Sequence, residues 1–184
     1  MDTHHLQVNL NINPLTDAFD MEERRTGQFR QTKVSFDLLS PGILDFCEKH
    51  HLIMVWAECF HTPPGRETPI HIDEHGGDYT KLNYIYGGKG STMNWYSVKD
   101  FAKNKEPSLT VINTKYLAYE PNEVTLIEAA PLLGGSSYVI QAGTPHNVTN
   151  ADEDRFCISL IFKDADRKRF TMAGAKELFA DYLV

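Results

Sequence analysis

Two segments of the chain carry residues that could bind one metal ion together. In the first, His71 and Asp73 are separated by a single residue. Residues i and i+2 of a β-strand point to the same face of its sheet, so both side chains can reach one ion. The second segment offers a third ligand, His146, directly after the turn-like run Gly143-Thr144-Pro145.

This set of ligands favours a particular metal chemistry. Two imidazoles and one carboxylate on one face of an octahedron leave three positions open, as in non-haem iron(II) oxygenases, where a 2-oxo acid takes two positions and dioxygen the third. A His-x-Asp motif alone is a weak signal, because short motifs of common residues also arise by chance. For His71 taken alone, a hydrogen-bonded histidine at a strand end is an equally good interpretation.

A strand-like run that begins at Arg155, nine residues after His146, strengthens the signal. One face of this run is apolar, whereas Arg155, Cys157 and Ser159 share the other. A guanidinium group binds a carboxylate through two parallel hydrogen bonds. That carboxylate could come from the nearby acidic residues 152–154 or from a bound anion. Because the predicted metal ligands are close in sequence, we favour the anion.

Together these segments resemble the 2-oxoglutarate/iron(II)-dependent dioxygenases. The resemblance is to the aspartyl/asparaginyl β-hydroxylase-like group and to related small phage and bacterial oxygenases, and it covers about residues 50–163. The matching segments are His71-Ile72-Asp73, Lys81-Leu82-Asn83-Tyr84-Ile85, Gly143-Thr144-Pro145-His146-Asn147-Val148-Thr149-Asn150 and Arg155-Phe156-Cys157-Ile158-Ser159-Leu160. Some β-hydroxylases of this group lack the carboxylate ligand that Asp73 supplies here.

The resemblance implies an activity and a role for several residues. Iron(II), 2-oxoglutarate and dioxygen would together hydroxylate a substrate, with succinate and carbon dioxide as co-products. Arg155 would bind the distal carboxylate of 2-oxoglutarate. Asn83 is a candidate for the proximal carboxylate and Ser159 a candidate to assist Arg155, although both could equally be structural. The candidates for substrate contact are Trp95, Tyr96 and His75, with core packing or simple surface exposure as the alternatives.

The elements that must position these residues are mostly strands. Short apolar or alternating runs, broken by Gly- and Pro-containing turns, predict an antiparallel, mainly β fold. With the resemblance, the expected fold is a double-stranded β-helix, a cupin-like jelly roll with flanking helices. We expect one domain over 1–184, with its core at about 50–163, an N-terminal extension at 1–49 and a C-terminal helix at about 170–183. Ser40-Pro41 predicts the start of another short helix, with Ser40 as its N-cap.

Composition limits the partners and the location. The formal net charge of −7 argues against nucleic acid, and no apolar run is long enough to span a membrane. The expected partner is a small-molecule or peptide substrate, and a homodimer is left open. The N-terminus lacks the features of a secretory signal and the three cysteines are widely spaced, so a cytoplasmic protein is expected.

Two other functions remain open from the sequence alone. The first is a cupin-like metal-dependent dioxygenase or isomerase that does not use 2-oxoglutarate, in which Arg155 would have no cosubstrate to bind. The second is a non-catalytic jelly-roll binding module. Residues 61–68, 74–80 and 99–108 are the loops in which substrate specificity is expected.

Overall fold

A computed structural model describes residues 3–73 and 77–184, which form twelve strands and two α-helices. The elements follow one another along the chain as β1 (His5–Val8), β2 (Arg30–Val34), α1 (Pro41–Lys49), β3 (Ile53–Thr62), β4 (Ile70–Asp73), β5 (Thr80–Gly87), β6 (Thr92–Val98), β7 (Ser108–Leu109), β8 (Lys115–Tyr119), β9 (Val124–Pro131), β10 (Ser137–Gln141), β11 (His146–Thr149), β12 (Arg155–Lys163) and α2 (Met172–Leu178). Short 3-10 turns connect some of them.

The strands form two six-stranded antiparallel sheets. The first sheet has the order β1-β10-β5-β12-β3-β2, and the second has the order β7-β8-β4-β11-β6-β9. Eight of the strands pair in nested order along the chain, the first with the last and so on inward. The pairs are β3 with β12, β4 with β11, β5 with β10, and β6 with β9. This nested pairing is the double-stranded β-helix, and it confirms the predicted fold class.

Four further strands extend the two sheets. In the first sheet, β1 adds to β10 and β2 adds to β3, so the N-terminal extension supplies both edges. In the second sheet, β8 pairs with β4, and the short strand β7 pairs with β8. Two segments of the N-terminal extension, His5–Val8 and Arg30–Val34, therefore belong to the first sheet.

The side chains of β12 alternate between two environments. Phe156, Ile158 and Leu160 point into a large apolar core that also contains Ile43 and Phe46 of α1. That helix begins where the sequence predicts, because the Ser40 hydroxyl accepts a hydrogen bond from the Ile43 N–H. The opposite face of β12 carries Arg155, Cys157 and Ser159, which line a cavity between the two sheets.

Some predicted boundaries differ from the structure. His146, expected directly after a turn, opens the strand β11. The C-terminal helix was expected to reach residue 183, but α2 ends at Leu178 and a 3-10 turn covers Ala180–Tyr182. Within the described part of the chain, none of the helices has the length and apolar character needed to cross a bilayer.

Candidate metal centre

Two neighbouring strands of the second sheet bring the predicted metal ligands together. His71 on β4 lies directly opposite His146 on β11, and Asp73 follows two residues further along β4. The His71 Nε2 atom is 3.5 Å from Asp73 Oδ1, and the His146 Nε2 atom is 4.0 Å from Asp73 Oδ2. One ligand atom from each residue lies within 4.8 Å of the others, the only such group among the residues that the structure describes.

Backbone carbonyl groups orient both imidazole rings. The Nδ1 atom of His71 is 2.8 Å from the Pro69 carbonyl oxygen, and that of His146 is 2.8 Å from the Thr144 carbonyl oxygen. A carbonyl oxygen can only accept a hydrogen bond, so Nδ1 carries the proton in each neutral ring. When neutral, each ring therefore turns an unprotonated Nε2 atom toward Asp73, which is the arrangement that a histidine metal ligand requires.

The electrostatics of the three residues suit a cation. Burial and the neighbouring His71 lower the pKa of His146 to about 4, so its ring is neutral near pH 7. Burial alone would raise the pKa of Asp73, but Lys81 and His71 hold it well below its ordinary value. Burial also opposes protonation of His71, yet the hydrogen bond and charge of Asp73 raise its pKa overall. An ionised carboxylate and a neutral imidazole are ready to bind a divalent metal.

Sequence reasoning missed a buried lysine and a buried glutamate behind the metal ligands. The Lys81 ammonium lies 2.9 Å from Asp73 Oδ2 and 3.3 Å from Glu58 Oε2. Glu58 is 1% exposed, and its Oε1 atom accepts a hydrogen bond from the Gln31 side chain at 3.2 Å. The sequence pattern could have indicated both residues. Lys81 and Asn83 share one face of a largely apolar strand, and Glu58 interrupts another apolar strand.

A cavity of about 330 Å³ opens in front of the metal ligands, between the two sheets. Its walls combine polar and apolar side chains. The polar set includes Gln31, His71, Asp73, Lys81, Asn83, His146, Arg155 and Ser159, and the apolar set includes Phe29, Phe60, Met93, Leu109, Val111, Tyr116, Ile140 and Val148. Of the loops in which specificity was expected, 61–68 contributes Thr62 and Thr68, and lining residues 109–111 follow directly after 99–108.

Arg155 is 3% exposed and lies in the cavity wall, with no charged partner among the residues that the structure describes. The nearby carboxylates are engaged elsewhere: Asp154 pairs with Arg25 and His61, and Glu153 accepts from the Lys89 N–H. Among the described residues, no carboxylate forms an ion pair with Arg155, whose side chain instead contacts Cys157. Burial lowers the pKa of this guanidinium from its ordinary value.

Three polar atoms on this wall lack hydrogen-bond partners among the described residues. They are Arg155 Nε, Asn83 Oδ1 and Ser159 Oγ, and all three are buried. Ser159 lies directly opposite Asn83 in the sheet, so these two unpaired groups are neighbours. A buried polar group without a partner costs about 1–3 kcal/mol, which a bound polar ligand would recover.

Gly88 allows the Arg155 side chain to lie close to the backbone. This glycine has a φ of +72°, and a Cβ atom at its position would come within 2.7–2.9 Å of the Arg155 methylene carbons. Any other residue would therefore displace the arginine as well as strain the backbone.

The structure corrects the predictions for Trp95 and Tyr96, neither of which lines the cavity. Trp95 is fully buried, its indole N–H donates to the Gln141 carbonyl oxygen at 3.1 Å, and His4 and His5 stack on its ring. Tyr96 lies on the other face of β6, where its hydroxyl donates to Asn147. Only Met93 of this strand lines the cavity. His75 lies outside the described residues.

Comparison with known proteins gives likenesses of fold only. No family model matches the chain, and no curated protein sequence matches it. Among solved structures, EvdO2 from Micromonospora carbonacea is 15% identical, with a TM-score of 0.43 over 73% of this chain and 66% of EvdO2. A 2OG-Fe(II) oxygenase family oxidoreductase from Burkholderia pseudomallei is 12% identical, with a TM-score of 0.43 over 77% of this chain and 69% of its own.

A cupin superfamily protein from Desulfitobacterium hafniense is 9% identical, with a TM-score of 0.38 over 80% of this chain and 94% of its own. Similarity at this level says nothing about activity. The function must therefore be argued from the residues of the cavity themselves.

Proposed function

We propose that the protein is a 2-oxoglutarate-dependent iron(II) oxygenase that hydroxylates an organic substrate. His71, Asp73 and His146 would hold the iron. The observation that carries the proposal is the buried Arg155, which lines the same cavity as these ligands and has no anionic partner among the described residues. A buried guanidinium group is costly unless an anion accompanies it.

The charges around the cavity support a dianionic cosubstrate. Asp73 and Glu58 carry two negative charges, and Lys81 and Arg155 carry two positive charges, so these residues cancel. A divalent metal held by neutral histidines would add two positive charges. One 2-oxoglutarate dianion would then restore neutrality, which a poorly solvated interior favours.

The two ends of the cavity would each bind one carboxylate of such a diacid. In the sheet, Arg155 lies opposite Gly87, six residues along β5 from Lys81. Because Lys81 contacts Asp73, a bound metal would lie toward the Lys81 end of this wall, with Arg155 toward the other end. A five-carbon diacid has one carboxylate beside its keto group for the metal and a second at its far end for the guanidinium. Asn83 and Ser159 lie between them with unpaired polar atoms.

The chain's own residues orient the reactants and exclude water. The paired hydrogen bonds of a guanidinium fix both the position and the direction of a carboxylate. Apolar lining residues such as Phe60, Met93 and Ile140 leave little to solvate a charged group beyond those polar contacts. Bound iron would supply the redox chemistry: one dioxygen and one 2-oxoglutarate give succinate, carbon dioxide and one hydroxylated substrate carbon.

The test is an anaerobic titration of the iron(II) protein with 2-oxoglutarate, followed by visible absorbance and calorimetry. We expect a weak metal-to-ligand absorption band, and slow succinate formation once air is admitted. 2-Oxobutyrate, which keeps the keto acid but lacks the distal carboxylate, is the matched control and should bind more weakly. If the iron protein neither binds 2-oxoglutarate nor forms succinate, a cupin-like enzyme without this cosubstrate becomes the better assignment.

A further inference from the structure

Lys81 links the first sheet to the carboxylate of the candidate metal centre. Its ammonium group bridges Asp73 on the second sheet and Glu58 on the first. Glu58 is held in turn by Gln31 of β2. The resulting chain of contacts, from Gln31 through Glu58 and Lys81 to Asp73, crosses the interior between the two sheets.

The fold itself does not require this arrangement. Lys81 is 7% exposed and lies opposite Ile140 in the sheet, where an apolar residue would fit the surrounding strand. Replacing a buried ion pair by apolar residues of similar volume is often neutral or stabilising. The interior therefore retains a costly charge pair directly behind the candidate metal ligand Asp73. This position indicates that the pair has a role in metal binding.

The two oxygens of Asp73 have different neighbours. Oδ2 lies 2.9 Å from the Lys81 ammonium and 4.0 Å from His146 Nε2, whereas Oδ1 lies 3.5 Å from His71 Nε2. A carboxylate oxygen that accepts a hydrogen bond from an ammonium group is a poorer ligand for a second cation, because the two cations repel each other. The contact with Lys81 thus distinguishes one oxygen from the other.

We propose that Lys81 is a positioning residue that restricts Asp73 to binding the metal through one oxygen. Glu58 and Gln31 hold the ammonium group in place for this task. The inference rests on the proposed metal centre and adds a mechanism that keeps three positions open. If Asp73 bound through both oxygens, 2-oxoglutarate would take two of the remaining positions and none would be left for dioxygen.

The decisive variant is Lys81→Met combined with Glu58→Gln. Lys81→Met alone would leave Glu58 as a buried carboxylate without a counter-charge, and its loss of stability could hide the effect on the metal. The double variant removes one positive and one negative charge, so the sum of charge in the interior is unchanged. Glu58→Gln alone is the matched control, because it keeps the contact between the Lys81 ammonium and Asp73.

The probe is Mn²⁺ bound to the metal-free protein, with water proton relaxation reporting the exchangeable positions on the ion. Relative to Glu58→Gln, the double variant is expected to bind Mn²⁺ about tenfold more tightly, equivalent to about 1.4 kcal/mol. Its bound Mn²⁺ should relax water less, by about one third, as the open positions fall from three to two. A thermal unfolding midpoint close to that of Glu58→Gln would show that the fold is intact.

Two outcomes would overturn the inference. Unchanged water relaxation in the double variant, whatever the affinity, would mean that Lys81 does not control how Asp73 binds. A parallel fall in Mn²⁺ affinity and unfolding midpoint would mean that Lys81 only supports the fold. The measurement uses no 2-oxoglutarate, so failure of the wild type to bind that cosubstrate would refute the proposed function and leave this result interpretable.

Discussion

Lys81 and Arg155 are both buried cations on the first sheet, but their surroundings differ. Lys81 has two carboxylates within 3.3 Å, one of them a candidate metal ligand. Arg155 has none among the described residues, and its Nε atom lacks a hydrogen-bond partner there. A buried charge whose partners are already present organises the protein, whereas one without a partner indicates where a ligand supplies the missing charge.

The largest expected effect is at the metal end. His146→Ala removes a proposed ligand, and metal affinity should fall by more than the roughly 10–100-fold typical of residues that only support ligands. Anaerobic iron(II) titration measures this loss. His51→Asn, which removes an exposed imidazole, is the control and should retain wild-type affinity. Wild-type iron affinity in His146→Ala would refute the metal centre as described.

At the opposite end, Arg155→Ala should weaken 2-oxoglutarate binding and spare iron. Truncating one partner of a buried charge pair costs on the order of 2–5 kcal/mol, which corresponds to a factor of roughly thirty to several thousand. Arg155→Lys keeps the charge but loses the fork of donors, so its affinity should be intermediate. Calorimetry on the iron-loaded variants tests this. If Arg155→Ala bound 2-oxoglutarate as tightly as the wild type, Arg155 would not be the residue that binds its distal carboxylate.

A smaller effect on the same ligand is expected from Ser159→Ala. A hydrogen bond to a charged group contributes about 1.5–3 kcal/mol, so 2-oxoglutarate affinity should fall by a factor of about 10 to 150. The free protein should be no less stable, because this hydroxyl is buried without a partner among the described residues. Thermal unfolding without ligand provides that comparison. A clear loss of stability would indicate a structural role for Ser159.

The smallest effect on ligand binding is expected from Trp95→Phe, because Trp95 lies outside the cavity lining. The change removes the indole hydrogen bond to Gln141 and part of a fully buried ring, at a cost of about 1–3 kcal/mol in unfolding free energy. Urea denaturation would measure this. Metal and 2-oxoglutarate affinities should remain those of the wild type. A substantial fall in either would mean that Trp95 contributes to the site after all.

The sequence was informative where a local rule applies. Strand alternation put His71 and Asp73 on one face and separated Arg155 and Ser159 from the apolar face of β12, and the structure shows both arrangements. The turn residues between short runs predicted an antiparallel, mainly β fold, and these features depend only on residues close together in sequence. The jelly roll itself was implied by the family resemblance, and it is confirmed.

The sequence was uninformative where contacts are distant. Glu58 and Lys81 are 23 residues apart, and only the pairing of both their strands with β12 brings them together. Alternation correctly separates Trp95 from Tyr96, but it cannot say that the N-terminal histidines cover the indole. The strands β1 and β2 lack a strong pattern of their own, and their positions depend on pairing with β10 and β3.

The strand β2 lies outside the eight-stranded repeat, yet its Gln31 and the preceding Phe29 line the cavity. One wall of the site is thus encoded by a segment that the jelly roll can vary without altering its own strand pairing. Lineages that share the barrel and the metal ligands could acquire new substrates through changes in this extension alone. Substituting Phe29 while keeping Gln31 on Glu58 would therefore be an economical route to altered selectivity.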